Sequence, residues 1–249
     1  PTGFLIINRD DKFYRYFNNL ANKRNIKTIS FGFSRKSDIH PIHIKNINNK
    51  KFIKVKIFNK ELRFSFKNIN TYNILISLAV LNILNLDLKK ITKSIENLEP
   101  LEGRGKIFDV KRFNTSFKLI DDSYNANPLS VKNAINNISV IKRDNFKKYI
   151  LIGDMLELGD KSIFFHKNLS QIINNADIDK VFIYGNKIRE TYKYIKKNKR
   201  GNILQDTSDF DEIFSKILNK NDYLMIKGSN ATNLNRLSNK IITGKKIAF

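Results

Sequence analysis

The sequence has 249 residues, of which 41% are hydrophobic, so it can form one large or two ordinary domains with buried cores, and disorder throughout is excluded. Its 46 Lys and Arg against 23 Asp and Glu give a formal net charge of +23; the charge is spread evenly along a chain rich in Lys, Asn and Ile, so no nucleic-acid partner is expected. With no cysteine and only three scattered histidines, the chain lacks a disulfide framework, a thiolate nucleophile and a cysteine metal site, which favours a reducing cytoplasm.

The first residues of the chain have a pattern that is typical of a segment inside a folded domain. The first residue is Pro1 rather than Met, and residues 4–7 are an all-apolar run, which predicts a strand buried on both faces of a parallel sheet. We therefore expect a fragment that lacks its N-terminal part. The longest apolar stretch, residues 74–86, contains polar side chains and is far shorter than the ~20 residues that a membrane span needs, so no span is predicted.

The next part of the chain predicts a helix followed by a small sheet. Residues 27–33 read as a strand, and the alternation of apolar and polar side chains over residues 42–66 predicts two or three antiparallel strands. A hairpin tip is expected at Asn59 and Lys60. The helix before this sheet is predicted from four apolar side chains at helical spacing, which are Phe13, Tyr16, Phe17 and Leu20.

Two helices are predicted to complete this part. The first covers residues 71–84, and Asp87 has the position and side chain of an N-cap for the second. The second helix would present one apolar face, formed by Leu88, Ile91, Ile95 and Leu98.

A change of character at residues 99–105, which contain a proline and two glycines, predicts a domain boundary. Beyond it, strands and helices alternate, which predicts an open, mostly parallel, three-layer α/β sheet. The predicted strands cover residues 118–120, 149–152, 180–184 and 223–226. The predicted helices lie near residues 130–140, 162–176, 188–197, 208–218 and 233–242.

Polar segments follow three of these strands, at the edge of the sheet where α/β proteins bind ligands. They are residues 121–128, 153–159 and 227–230. Each segment is also compatible with an ordinary capped turn, although residues 121–128 carry more hydrogen-bonding groups than one cap uses. His166 lies among apolar neighbours and is interpreted as a packed or surface helical residue rather than a base.

Arg104 lies between two glycines at the predicted boundary. A guanidinium stays charged and binds oxyanions through two hydrogen bonds, so Arg104 is a candidate phosphate contact; a solvated linker arginine is the alternative. No G-x-x-x-x-G-K-[ST] motif occurs in the chain, which therefore contains no recognisable phosphate loop.

Taken in order, six segments resemble the Mur ligases of peptidoglycan synthesis. They are residues 7–11 (INRDD), 70–73 (NTYN), 102–105 (EGRG), 121–128 (DDSYNANP), 153–159 (GDMLELG) and 227–229 (KGS). The resemblance implies that residues 1–102 are the C-terminal portion of a central ATPase domain. It also implies that residues 103–249 are a Rossmann-like three-layer α/β C-terminal domain.

The resemblance implies an ATP-dependent amide ligase that works through an acyl phosphate. The spelling DDSYNANP resembles the family member that adds D-alanyl-D-alanine to UDP-N-acetylmuramoyl-tripeptide in the cytoplasm, and a monomer is expected. ATP and Mg²⁺ are the implied cofactors, bound mainly by an N-terminal part that carries the family's phosphate loop and Mg²⁺ ligands. We therefore expect no certain catalytic residue and no metal ligand in this chain, and no turnover by it alone.

Residue roles carried over from the family fall into two groups. Asn70 and Asn73 would contact the adenine side of ATP, Arg104 its phosphates and Asp122 its ribose. The dipeptide would be held by Asn125, Asn127, Lys227 and Ser229. Two positions depart from the family pattern, because Ile69 stands where the family has His and Asn230 where it usually has Arg.

Three alternatives remain open at this point. The first is another Mur-type amino-acid ligase, although the D-N-P-R-x-E pattern of the enzyme that adds the third amino acid is absent. The second is a non-catalytic remnant that binds a nucleotide or a dipeptide. The third is a basic nucleic-acid-binding module, which would show affinity that falls steeply with salt.

Overall fold

The computed structural model describes residues 3–47, 50–67 and 69–245. Its chain forms two compact units, Pro1–Pro100 and Leu101–Phe249. Within the described ranges, no helix combines the length and the apolar character that crossing a membrane requires.

The first unit contains a five-stranded sheet in the order β1-β2-β3-β4-β5 and three helices. β1 is parallel to β2 and β2 to β3, whereas β3, β4 and β5 form an antiparallel meander. The strands are β1 (Phe4–Asn8), β2 (Lys27–Phe31), β3 (Ile39–Ile47), β4 (Lys50–Ile57) and β5 (Lys60–Lys67). The helices are α1 (Tyr14–Lys23), α2 (Thr71–Ile83) and α3 (Leu88–Glu96).

The antiparallel strands and α2 supply most of the core of this unit, as the alternating pattern predicts. Val55 on β4 and Phe66 on β5 are completely buried, as are Leu75 and Leu78 on α2. The predicted cap of α3 is confirmed, because Asp87 accepts hydrogen bonds from the backbone of Lys89 and Lys90. Leu98 lies beyond the end of α3 and is exposed, so it is not part of the buried face.

The hairpin between β4 and β5 turns one residue earlier than predicted. The turn is formed by Phe58 and Asn59, and Lys60 already pairs with Ile57. Phe58 has a φ of 50°, the left-handed conformation that tight hairpin turns require and that a sequence-based choice would assign to Asn.

The prediction that residues 4–7 are buried on both faces is wrong. The strand forms, but Phe4 is 47% exposed and Ile7 is its only buried residue. The physical reason is that β1 lies at the edge of the described sheet and pairs with β2 alone. The predicted apolar stripe is exposed as well: Tyr16, Phe17 and Leu20 lie on α1, and Phe13 directly precedes it.

The second unit contains a six-stranded sheet in the order β10-β9-β8-β11-β7-β6. Five strands are parallel and β6 is antiparallel to β7, which confirms the predicted mostly parallel sheet. The strands are β6 (Lys106–Arg112), β7 (Thr115–Asp122), β8 (Lys148–Gly153), β9 (Lys180–Tyr184), β10 (Arg200–Leu204) and β11 (Tyr223–Lys227). The helices are α4 (Pro128–Ser139), α5 (Ser162–Asn175), α6 (Arg189–Tyr192), α7 (Asp209–Phe214) and α8 (Leu234–Ile242).

Two apolar layers cover this sheet. α4 and α5 pack on one face, where Ile150 and Ile152 of β8 point, and α7 and α8 pack on the other face against Leu151. α5 follows β8 and α8 follows β11, so the chain leaves these two neighbouring strands toward opposite faces. Such a point in an open α/β sheet opens a crevice at the carboxyl ends of the strands.

Two strands of the second unit were not predicted, and one predicted helix is much shorter. Along β6 exposed and partly buried side chains alternate, and Val110 is the one that is buried. The strand therefore contains no apolar run that would predict it from the sequence. Residues 188–197 were predicted as a helix, but only Arg189–Tyr192 is helical, and β10 follows. β10 contains Gly201, where a Cβ atom would lie 2.7 Å from the Phe182 ring, so tertiary packing requires a residue that weakens the strand signal.

Candidate functional site

The loop that leads from β7 to α4, residues 121–128, begins the candidate site of the second unit. Its last residues form a helix cap: Asn127 Oδ1 accepts from the Ser130 backbone at 2.8 Å, and Ser130 Oγ accepts from the Asn127 backbone at 3.0 Å. Pro128 occupies the first helical position, where its missing N–H costs nothing. The capped-turn interpretation therefore holds for Asn127, whose side chain remains exposed.

Asp121, which is not a candidate residue in the sequence, connects this loop to the segment around Arg104. Its Oδ2 accepts from the Gly103 backbone at 2.7 Å, and its carbonyl oxygen accepts from the Gly105 backbone at 2.7 Å. Asp121 is buried and its other oxygen, Oδ1, accepts from the Ser123 hydroxyl at 2.5 Å. The sequence signal that could have indicated this role is the pair of adjacent carboxylates at the end of the strand. One of the two, Asp121, accepts a hydrogen bond from the backbone.

Arg104 is brought to the same loop by this anchoring. Gly103 has a φ of 71°, and its carbonyl accepts from the Tyr124 backbone at 3.0 Å. The Arg104 guanidinium lies 4.5 Å from the centre of the Tyr124 ring, a cation–π arrangement, and the side chain is exposed. Arg104 thus presents a full positive charge beside residues 121–128.

Asp122 and Lys227 form an ion pair between neighbouring strands. β7 and β11 align these residues directly, and Lys227 Nζ lies 3.0 Å from Asp122 Oδ2. The ammonium also donates to the carbonyl oxygens of Asn125 at 2.9 Å and Asp122 at 3.3 Å. Lys227 is 1% exposed, so its charge serves the loop rather than the solvent.

Burial has the largest effect on the pKa of the Asp122 carboxyl. Partial burial raises the pKa of the Asp122 carboxyl, and the ammonium of Lys227 opposes this effect. Arg104 also lowers the pKa, although it contributes less than Lys227. The Asp122 side chain keeps an exposed fraction of 23%, so one carboxylate edge can meet a hydroxyl group from outside.

Ser229 ties three loops together at the carboxyl ends of the strands. Its hydroxyl accepts from the Leu156 backbone at 2.9 Å and donates to the Ala126 carbonyl at 3.3 Å. Its own backbone N–H donates to the Asp154 carbonyl at 3.0 Å. Ser229 is buried, so residues 121–128, 153–159 and 227–230 form one connected edge.

His166 is a packed residue, as interpreted, and its ring has a specific task. Nε2 accepts from the Met155 backbone at 3.1 Å, and Nδ1 lies 2.8 Å from the Ser162 carbonyl, to which it donates. Both ring nitrogens are thus used, and the side chain is fully buried. His166 therefore fixes the backbone at Met155, just after β8. The next residue, Leu156, is the one whose backbone N–H binds Ser229.

Asn125, the remaining predicted residue of this unit, is exposed. Its Oδ1 accepts from the Ala126 backbone at 2.7 Å, and the backbone carbonyl binds Lys227. The side-chain amide group is left to face the solvent. In the second unit, therefore, Arg104, Asp122, Asn125 and Asn127 are accessible. Lys227 and Ser229 are buried and hold the loop through Asp122, the Asn125 carbonyl and the Ala126 carbonyl.

The first unit carries Asn70 and Asn73 at the start of α2. Asn70 Oδ1 caps the helix by accepting from the Tyr72 backbone at 2.8 Å, and Asn73 is exposed on the first turn. Tyr72 donates its hydroxyl to Asp10 Oδ2 at 3.0 Å, and burial followed by this carboxylate raises the pKa of the Tyr72 phenol.

Asp10 in turn accepts from the backbone of Phe33 at 2.5 Å and Ser34 at 3.1 Å. Neither Asp10 nor Tyr72 is a candidate residue in the sequence. Asp10 belongs to the segment INRDD, which was the available signal. The two residues connect the loops after β1 and β2 to the first turn of α2.

The described residues contain no group of three or more His, Asp or Glu side chains that could hold a metal ion. The polar groups of the second unit instead suit an organic oxyanion and a hydroxyl: an exposed guanidinium, a partly exposed carboxylate and two exposed amides.

Comparison with known families matches both units. The family model described as "Mur ligase middle domain" matches residues 1–81, and the model described as "Mur ligase, glutamate ligase domain" matches residues 104–230. Among curated proteins, the UDP-N-acetylmuramoyl-tripeptide--D-alanyl-D-alanine ligase of Buchnera aphidicola subsp. Baizongia pistaciae is 26% identical over 246 residues, which cover 96% of this chain and 51% of that protein. The ligase of the same name from Rickettsia prowazekii is 26% identical over 236 residues, covering 93% and 51%.

Solved structures agree in fold. The MurF ligase of Thermotoga maritima in complex with ADP superposes with a TM-score of 0.76 at 21% identity, over 96% of this chain and 53% of that chain. A MurF crystal structure from Acinetobacter baumannii gives a TM-score of 0.78 at 21% identity, over 98% and 52%. The chain spans about half the length of the relatives it matches. With one family model over residues 1–81 and another over residues 104–230, this chain belongs to the Mur ligase family.

Proposed function

We propose that this chain is the nucleotide- and acceptor-binding part of an ATP-dependent amide ligase that adds D-alanyl-D-alanine to UDP-N-acetylmuramoyl-tripeptide in cytoplasmic peptidoglycan precursor synthesis. In this proposal residues 1–102 are the C-terminal portion of the central ATPase domain, and residues 103–249 are the C-terminal domain. The observation that carries it is the DDSYNANP loop, anchored through Asp121 to the two glycines that flank Arg104 and through Lys227 to the end of β11. The names of the relatives support the choice of substrates.

The proposed roles follow from which groups are accessible. Arg104 would neutralise phosphate oxygens, because its guanidinium is exposed and lies over the Tyr124 ring. Asp122 would accept hydrogen bonds from ribose hydroxyls with the carboxylate edge that Lys227 leaves open. In the first unit, the exposed amide of Asn73 would contact adenine, and Asn70 would fix the turn of α2 that carries it.

The same reasoning divides the proposed dipeptide residues into two kinds. Asn125 and Asn127 have exposed amides that could meet the dipeptide. Lys227 and Ser229 are buried and fully hydrogen-bonded, so we assign them to positioning: Lys227 holds the Asn125 carbonyl, and Ser229 holds Ala126 and Leu156.

Mur ligases use ATP and Mg²⁺, and bound ATP supplies the phosphoryl group that makes a carboxylate electrophilic. The charged and amide groups of this chain fit part of a nucleotide, as described above. Among the described residues, no group of three or more His, Asp or Glu side chains could hold a metal ion. The proposal therefore assigns no step through Mg²⁺ to residues of this chain.

A phosphate-release assay tests the proposal. The full-length polypeptide that contains this sequence together with the expected N-terminal part is supplied with ATP, Mg²⁺ and UDP-N-acetylmuramoyl-tripeptide, and D-alanyl-D-alanine is varied against single amino acids; the 249 residues alone are expected to give no turnover. We expect release that depends on the dipeptide. Release that depends instead on a single amino acid would identify another Mur-type ligase, and nucleotide binding with no amine-dependent release would identify a non-catalytic remnant.

Arg104→Met tests the role of the site within the same assay. Because guanidinium contacts to phosphate are charge-assisted, we expect kcat/KM to fall by about tenfold or more. Lys187→Met removes one exposed positive charge elsewhere in the second unit and is the matched control. Equal activity of the two variants would remove Arg104 from the proposed site.

A further inference from the structure

A cavity of about 330 Å³ lies at the carboxyl ends of the parallel strands of the second unit. Its walls come from the segments that follow β8, β9, β10 and β11. It adjoins the candidate site, because Leu156 lines the cavity and binds Ser229 through its backbone N–H. A volume near the lower end of the usual range for ligand pockets suits a small ligand.

Arg189 contributes a positive charge to this cavity, and its hydrogen-bond partners within the described part of the chain are neutral. Its Nη2 donates to Gln205 Oε1 at 3.0 Å, and its Nε donates to the Gly185 carbonyl at 3.4 Å. Within the described ranges of the chain, Arg189 makes no ion pair with a carboxylate. The guanidinium is half-buried and held in place by Gln205, so an unpaired cation faces the cavity in a defined orientation.

Asp154, the other charged residue of the wall, is committed to the turn after β9. Its Oδ1 accepts from the Ile188 backbone at 2.8 Å, and its Oδ2 accepts from the Asn186 backbone at 3.2 Å. At Gly185 a Cβ atom would lie 2.5 Å from Asp154 Oδ1, so the carboxylate is packed against this turn. Asp154 therefore shapes the wall that carries Arg189.

Gln205 adds hydrogen-bond donors next to the guanidinium. Since its Oε1 accepts from Arg189, its amide N–H groups are directed away from that bond. One guanidinium charge with a neighbouring carboxamide matches a planar anion with a single negative charge, which is a carboxylate. A phosphate dianion would leave one charge without compensation.

We propose that Arg189 and Gln205 form a carboxylate subsite that binds the C-terminal carboxylate of the incoming dipeptide. The assignment rests on the proposed function for the identity of the ligand. It explains why the cavity adjoins the loops held by Ser229: the free carboxylate is bound in the cavity while the amino end of the dipeptide extends toward residues 121–128. Arg189 and Gln205 thereby select acceptors that carry a carboxylate.

Chemical-shift mapping on the whole ¹⁵N-labelled chain tests this subsite. The probes are D-alanyl-D-alanine, its C-terminal amide, acetate and inorganic phosphate. We expect the dipeptide to shift the Gly185 backbone and Gln205 side-chain signals, and the C-terminal amide to leave them in place. Arg189→Gln should weaken dipeptide binding about tenfold or more, because a charge-assisted bond is lost. Gln205→Leu keeps the charge and should weaken it less, and Lys187→Gln, an exposed neighbour, should not change it.

Each other outcome overturns either the carboxylate subsite or the proposed dipeptide substrate. Equal binding of the dipeptide and its amide, stronger shifts with phosphate than with carboxylates, or no shift with any carboxylate would overturn the subsite. Dipeptide shifts confined to Asn125 and Ser229 would overturn the subsite while the ligase function stands. Arg189-dependent shifts with acetate but none with the dipeptide would keep the carboxylate subsite and contradict the proposed dipeptide substrate.

Discussion

The ammonium of Lys227 lies 3.0 Å from the Asp122 carboxylate and also binds the Asn125 carbonyl, although 105 positions separate Lys227 from Asp122 in the chain. The register of β7 and β11 creates this contact. It joins the DDSYNANP loop to the KGS segment, so the two motifs act as one structural element.

Lys227→Met should destabilise the second unit by about 2 to 3 kcal/mol. Breaking a buried pair leaves a charge without its partner, and the partial exposure of Asp122 moderates the loss. The amide-exchange protection of β7 and β11 measures this free energy in the second unit alone. Lys216→Met removes an exposed partner of Glu212 and should cost no more than about 0.5 kcal/mol. Equal costs for the two variants would contradict the structural role of Lys227.

Gly103→Ala should be more destabilising than Gly105→Ala. Both glycines have positive φ, so each substitution incurs the left-handed cost of about 1 to 2 kcal/mol. At Gly103 the added Cβ would also lie 2.8 Å from Tyr124 Cβ, whereas nothing lies within 4 Å at Gly105. Thermal unfolding followed by circular dichroism compares the two variants. A Gly105 variant that is as unstable as the Gly103 variant would show that the contact with Tyr124 is unimportant.

His166→Ala should expose the Met155 backbone to exchange. The substitution leaves a buried N–H without an acceptor, which costs about 1 to 3 kcal/mol, and it opens a cavity as well. Hydrogen exchange at the Met155 amide should accelerate by at least tenfold relative to the wild type. His43 is exposed, so His43→Ala is the control and should leave Met155 protected. Unchanged exchange at Met155 in His166→Ala would contradict the hydrogen bond.

Asp177 should make the second unit more stable above about pH 4 than at pH 2. Hydrogen bonds from Arg143 and then Lys148 lower the pKa of the Asp177 carboxyl to about 2. The unfolded carboxyl has a pKa of about 3.9, so the folded state holds fewer protons between these values, and stability is lost as the pH falls through this window.

Urea unfolding of wild type and Asp177→Asn between neutral pH and about pH 2 checks the direction of this change in stability with pH. The two proteins should converge as the pH approaches the folded pKa of about 2. Asp109→Asn removes a highly exposed carboxylate and should follow the wild type throughout. A difference between wild type and Asp177→Asn that grows toward acid pH would contradict the assignment.

Local chemistry explains the elements that could be predicted. Asn70 and Asp87 cap α2 and α3 because their side chains bond to backbone N–H groups two or three positions away. β4 and β5 were predictable because alternation along each strand reports which face is buried. These signals lie within a few residues of one another, so no knowledge of the tertiary fold is needed to read them.

The division of labour within the site could not be predicted, because it depends on long-range partners. Two adjacent carboxylates have opposite tasks: Asp121 holds Gly103, and Asp122 pairs with Lys227. Which one faces the solvent depends on the register of β7. Arg189 was likewise no candidate in the sequence, because whether its guanidinium pairs with a carboxylate or with Gln205 depends on residues that are distant in the chain.

The sequence by itself determined the class of each unit and the family, since periodicity, caps and the order of short motifs are all local properties of the chain. Only the tertiary structure decided which polar groups are accessible and which are consumed internally. The physical reason is that a buried polar group must find a hydrogen-bonding partner, and the pairing of distant strands decides whether that partner is the protein or a ligand.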